Sequence, residues 1–176
     1  MRPGDLDEIR QPIDFLGVNY YFTQSVSFHP HAGHLKAAIS QVEDPGWGRT
    51  EMGWGVHPDG LKSLLLGLRE VCGGLPLYIT ESGCAFMDIP DANGFVDDPG
   101  RIRFLAAHFK AAHEALQAGV DLRGYYVWSL LDNFEWANGY GPRFGIVRVD
   151  YSTLARIPKR SAHWYGEIIA RNGIED

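Results

Sequence analysis

Apolar residues along the chain fall into short dense runs and into stretches with a helical period. The run Ile13-Asp14-Phe15-Leu16-Gly17-Val18-Asn19-Tyr20-Tyr21 is β-branched and aromatic, which predicts a strand. From Phe22 to Gly55 no period persists. Scattered His, Pro and Gly predict a long loop with room for one short hairpin, and loops of that length are usually functional. Leu61, Leu64, Leu65, Leu68, Val71 and Cys72 then share one helical face, with Pro58-Asp59 at the start and Gly73-Gly74 at the end. Pro76-Leu77-Tyr78-Ile79-Thr80 predicts a buried strand that stops at Glu81-Ser82-Gly83. After a loop from Cys84 to Val96, a second helix is capped by Asp97 or Asp98 and carries Pro99 near its first turn. Its apolar stripe is Ile102, Leu105, Phe109, Ala112 and Leu116, and Gly119 ends it. Val120–Leu130 predicts a third strand, Leu131–Arg143 an aromatic-rich loop, and Phe144–Asp150 a short β segment. Pro158–Arg171 predicts a last helix with Trp164, Ile168 and Ile169 inward.

This order of strands and helices predicts an α/β fold around a parallel sheet. Chemically loaded residues gather just after each strand, as at the C-terminal face of a (β/α)₈ barrel or the ligand edge of a doubly wound sheet. No Gly-rich phosphate fingerprint follows any strand.

Composition adds limits. The 176 residues suit one domain, and a net charge of −6 argues against a nucleic-acid partner. No apolar run approaches the roughly 18 residues that a membrane span needs, and the polar start Met1-Arg2-Pro3-Gly4-Asp5 does not read as a signal peptide. Cys72 and Cys84 read as free thiols in a reducing, cytoplasmic setting. Five Trp and 21 Gly suit an aromatic-lined site built on loops.

Two stretches carry candidate chemistry. Glu81 ends an apolar strand, where an unpaired carboxylate is costly to bury. It is either functional or a strand-end surface Glu, exposed or paired with an Arg. Trp128-Ser129-Leu130-Leu131-Asp132-Asn133-Phe134-Glu135-Trp136 brings two Trp, an Asn and a Glu to a strand end. Indole faces stack on sugar C–H faces and carboxylates grip hydroxyls; the alternative is a Trp-rich core corner with Asp132 and Asn133 capping a turn. His29, His31 and His34 read as surface histidines, and Asp150 and Tyr151 as turn anchors. Nothing marks Cys84 as an activated thiol.

Taken together, these stretches resemble glycoside hydrolase family 1, the β-glucosidase family. Tyr78-Ile79-Thr80-Glu81-Ser82-Gly83 is similar to that family's I-T-E-N-G motif, with Ser82 where Asn is usual. Tyr126-Val127-Trp128 through Trp136 is similar to its sugar-binding segment nearly letter for letter. Phe15 to Tyr21, Met52-Gly53-Trp54, Val56-His57-Pro58, Arg143 to Val147, Val149-Asp150-Tyr151 and Arg156 to Ala162 continue the resemblance in order.

The resemblance implies a partial (β/α)₈ TIM barrel, roughly strands six to eight with their helices. Residues 1–176 would form the C-terminal portion of one barrel domain whose N-terminal half is absent. It implies that Glu81 is the catalytic nucleophile and that Tyr21 hydrogen-bonds it. Asn19 would be a polar neighbour, Trp128 the platform beneath the sugar, Glu135 the grip on its 4- and 6-hydroxyls and Trp136 a donor beside it. Trp54 would be the aglycone-side wall, with Phe144 lining the pocket. A carboxylate at Glu135 implies non-phosphorylated sugars, since it would repel a phosphate.

No metal or cofactor is implied. The partners implied are a β-glucoside or related sugar and the missing half of the barrel. The family's acid/base Glu stands in an Asn-Glu-Pro triplet, and none occurs in these 176 residues. The isolated chain is therefore expected to be inactive or nearly so. The competing expectation is a truncated fragment that binds sugar without hydrolysing it.

Overall fold

A computed structural model describes residues 1–174. Its centre is a three-stranded parallel sheet of β1 (Leu16–Asn19), β4 (Leu77–Ser82) and β5 (Leu122–Val127), in the order β1-β4-β5. Strand, helix and parallel strand thus follow one another as the periodicity predicts. α2 (Pro58–Val71) and α3 (Pro99–Gln117) connect these strands and pack on each other, and α4 (Arg160–Arg171) packs on α3. Among the described residues, no helix is long and apolar enough to cross a membrane.

The core lies between the sheet and its helices. Leu61 and Leu65 of α2, Leu77 and Ile79 of β4, and Ala112 and Ala115 of α3 form one cluster with Tyr20 and Val120. Each fully buried leucine there contributes about 1.5–3 kcal/mol. A second cluster joins Val56, Cys84, Phe104 and Leu105, with Phe109 and Trp164 packed against it.

Several bounds differ from the sequence expectations. The strand expected over residues 13–21 covers only Leu16–Asn19, and that expected over 120–130 only Leu122–Val127. The β4 ladder runs on through Glu81 and Ser82 instead of stopping before them. The long loop expected to have room for one short hairpin contains it: β2 (Thr23–Phe28) pairs antiparallel with β3 (Ala37–Val42). A short helix, α1 (Asp5–Ile9), precedes the sheet. Near the C-terminus, β6 (Val147–Val149) pairs with β7 (Arg156–Pro158), so Pro158 lies in a strand and α4 begins two residues later. Val71, Leu116 and Ile169, expected inward, are exposed. Three strands offer less apolar surface than the helical stripes were read to cover.

Candidate active site

Strand parity decides which side chains reach the site. In β1 and beyond it, Val18 and Tyr20 turn to the helices while Asn19 and Tyr21 turn to the other face. The Tyr20 hydroxyl donates to the His57 carbonyl at 2.6 Å, and burial pushes it up to about 12. In β4 the same alternation puts Leu77 and Ile79 on the helix side. Continued unbroken, it would bury Glu81 there too.

A bulge prevents this. The ladder to β1 pairs Val18 with Ile79 but Asn19 with Glu81, leaving Thr80 unmatched, and the ladder to β5 slips over the same residues. The extra residue re-aims the strand end. Ser82 takes the buried side and Glu81 opens into a pocket. Gly83 follows because the strands converge: a Cβ there would lie 1.7 Å from the Trp128 carbonyl oxygen.

The pocket, of about 390 Å³, is lined by Asn19, Tyr21, Trp54, Glu81, Trp128, Glu135, Trp136 and Phe144, so all eight singled-out residues meet in one place. Asn133 and Phe134 also line it. Asn133 thus stands with the sugar-facing candidates of the Trp128–Trp136 stretch, while no sequence signal singles out Phe134.

The Tyr21 hydroxyl donates to Glu81 Oε2 at 2.6 Å. Burial, then this bond and the Glu81 charge, raise the phenol far above its ordinary range, so it remains a donor. The Thr80 hydroxyl donates to Asn19 Oδ1 at 2.7 Å, leaving the Asn19 amide NH₂ unengaged by that bond. Tyr21, Trp54 and Phe144 form an aromatic wall, with ring centroids 5.5, 6.2 and 5.9 Å apart pairwise. Glu135 precedes a 3₁₀ turn over Trp136–Asn138, and its amide is held by the Gly139 carbonyl at 2.7 Å. Burial, and then the negative charge of Glu81, raise the Glu135 carboxyl above its ordinary value. Two carboxylates that repel each other face one cavity beside exposed aromatic rings.

Other candidates fall elsewhere. Asp150 accepts the Ser152 and Thr153 amides, as a turn anchor does. Cys84 is fully buried, and burial pushes its thiol up to about 12. Among the described residues, no cluster of His, Cys, Asp or Glu has the arrangement of a metal site. Asp132, weighed as a turn cap, instead enters a buried ionic network with Asp88, Asp98, Arg101, Arg143 and Lys159. These partners are far apart in sequence, and no local pattern announced them.

The family model described as Glycosyl hydrolase family 1 matches residues 1–174. The chain is 48% identical over 172 residues to beta-glucosidase A of Thermotoga maritima, covering 98% of this chain and 38% of that protein. It is 42% identical over 181 residues to a bifunctional beta-D-glucosidase/beta-D-fucosidase of Bifidobacterium breve, covering 95% and 39%. The structure of the family 1 β-glucosidase from Thermotoga maritima superposes with a TM-score of 0.90 at 48% identity, over 98% of this chain and 38% of that one. A Thermotoga maritima β-glucosidase in complex with deoxynojirimycin also gives 0.90, at 47% identity, over 97% and 38%. This chain therefore spans about 38% of the length of the curated relatives it matches. Those solved structures are barrels, and the three-stranded sheet corresponds to part of one.

Proposed function

The chain belongs to glycosyl hydrolase family 1, and from that membership we propose that it supplies the nucleophile-bearing part of a retaining β-glucosidase. It would correspond to barrel strands six to eight, the C-terminal portion of the domain. The substrate is a non-phosphorylated β-glucoside or related β-glycoside. The observation that carries this reading is the Tyr21–Glu81 hydrogen bond at 2.6 Å inside a pocket shared with Trp128, Glu135 and Trp136.

A retaining glycosidase uses two carboxyl groups about 5–5.5 Å apart. Glu81 attacks the anomeric carbon, the bond to the leaving oxygen breaks, and a glycosyl-enzyme ester forms. The second carboxyl group protonates the leaving oxygen, then takes a proton from the water that hydrolyses the ester. In this reading Tyr21 holds Glu81 aimed before attack through its donated hydrogen bond. Trp128 carries the sugar ring, and Glu135 accepts its outer hydroxyls. The charge on Glu135 disfavours a phosphate at that position. The acid/base residue comes from outside these 176 residues, which hold no Asn-Glu-Pro.

The test is complementation. The chain alone is expected to leave an aryl β-glucoside intact. Mixed or coexpressed with a family 1 segment supplying the remaining strands and the Asn-Glu-Pro triplet, it turns over. A 2-deoxy-2-fluoroglucoside then labels Glu81, read by peptide mass spectrometry. Full turnover by the chain alone overturns the division of labour, and a label on any other carboxylate overturns the nucleophile. Sugar binding that persists without turnover after complementation supports the non-catalytic alternative.

A further inference from the structure

Behind the Trp128–Trp136 wall lies a group of charges that the hydrolysis does not use. Lys159, just before α4, is fully buried. Its Nζ pairs with Asp88 and, at 2.9 Å, with Asp132 Oδ1. Asp132 stands midway along the segment that joins Trp128 to Glu135. Its carboxylate also accepts the Gly145 amide at 3.0 Å, the Val149 amide at 3.2 Å and Arg143 Nη1 at 3.0 Å. Gly145 comes so close that a Cβ there would lie 2.2 Å from the Asp132 nitrogen. From α3, Arg101 holds Asp88 and Asp98 and donates to the Arg143 carbonyl at 2.6 Å.

Well-packed apolar side chains can replace such buried ion pairs without loss of stability. What an ion pair adds is direction. Here the directed bonds end on the one segment that carries Trp128, Glu135 and Trp136 and on the neighbouring strand β6. The backbone reinforces this: the Ile146 and Val147 amides donate to the Ser129 and Leu130 carbonyls, both at 2.9 Å.

We propose that Lys159, acting through Asp132, is a positioning residue for the sugar-binding wall: the buried pair sets where Trp128 stands relative to Glu135 and Trp136. The inference rests on reading the pocket as a sugar site, and the test separates the two.

The full chain, ¹⁵N-labelled, is compared with Lys159→Met and Lys159→Arg. In Lys159→Met the Gly145 and Val149 amides exchange about tenfold faster or more, while Leu77 and Ile79 in β4 keep their protection. The indole N–H signals of Trp128 and Trp136 shift or broaden, and that of Trp47 does not. Lys159→Arg, which retains the charge, falls between. Deoxynojirimycin, titrated against the same signals, binds about tenfold more weakly to Lys159→Met.

Exchange at Gly145 and Val149 within about twofold of the parent chain overturns the proposal, as does equal acceleration in β4. Should Lys159→Met fail to fold, Lys159→Arg with parental exchange and indole positions overturns it. If the parent chain leaves deoxynojirimycin unbound, exchange and indole signals alone decide whether Lys159 positions the wall, and the sugar reading stands or falls on the complementation test.

Discussion

Five carboxylates of the pocket and of the ionic network behind it are handled in two ways. Asp88, Asp98 and Asp132 are buried and each touches a cation: Arg101 holds the first two, and Lys159 joins the first to the third. Glu81 and Glu135 line the cavity, and among the described residues neither has a cation partner. Glu81 receives a phenol hydrogen bond, and Glu135 is left against the charge of Glu81. Neutralised charges fix a shape, because the alternative is an uncompensated ion in a low dielectric. Charges without a cation partner stay available to a substrate. The segment from Trp128 to Trp136 spans both regimes within a few residues, with Asp132 anchored below and Glu135 free above.

The contrast can be broken from either side. The largest effect belongs to Glu81→Gln in the complemented enzyme. Turnover of an aryl β-glucoside should fall by at least about 10³-fold, while the melting temperature stays near that of the parent. A normal rate would put the nucleophile elsewhere. Next, Arg101→Met leaves Asp88 and Asp98 without their shared cation. Urea unfolding should show a loss of about 3–5 kcal/mol, against little change for Glu135→Gln. A third experiment uses a buried group that is kept neutral. His108 stacks on Phe104 at 3.9 Å, and burial lowers its pKa from 6.5 to about 4. The unfolded chain therefore binds the proton first, and stability falls as pH drops from 6.5 towards 4, by about 1 kcal/mol per unit. The slope of denaturant midpoints against pH checks this, and His108→Gln should flatten it.

Smaller effects sharpen the contrast. Tyr21→Phe removes the one hydroxyl that Glu81 accepts. The rate should fall about 10–100-fold. Ser82→Ala tests the buried side of the bulge. Among the described residues the buried Ser82 hydroxyl makes no well-formed hydrogen bond, its nearest candidate being the equally buried Tyr125 hydroxyl, so its removal should change stability by less than about 1 kcal/mol. A large loss would reveal a contact that the hydroxyl does make.

How much of this could be read from the residues follows from how local each signal is. The helical faces of Leu61, Leu65 and Leu105 and the parallel order of the strands rest on short-range period, and the structure carries them. The hairpin of β2 and β3 was harder to read. Its faces are mostly exposed, so Thr23–Phe28 and Ala37–Val42 lack the alternation that burial imposes. The pocket residues were legible through motif resemblance, not period: nothing in the spacing of Asn19, Trp54 and Glu135 brings them together without the fold. The ionic network was illegible. Residues 88, 98, 101, 132, 143 and 159 meet only once loops and two helices converge, whereas local pattern reads Asp98 as a helix cap and Asp132 as a turn cap and pairs none of the six.

The bulge at Thr80 has a consequence for which sequence changes the site can absorb. Side-chain exchange leaves the odd–even count of β4 intact, so neighbours can vary as freely as packing allows. Deleting Thr80 would remove only the extra residue, and unbroken alternation would then keep Glu81 at the cavity with Ser82 on the buried side. Closing the bulge, so that Thr80 rather than Glu81 pairs with Asn19, reverses the odd–even count and turns Glu81 towards the layer under α2. The same holds for Tyr20 and Tyr21, whose hydroxyls serve opposite faces one residue apart. The site is thus written in a reading frame of its own: tolerant of many substitutions, and erased by a single shift.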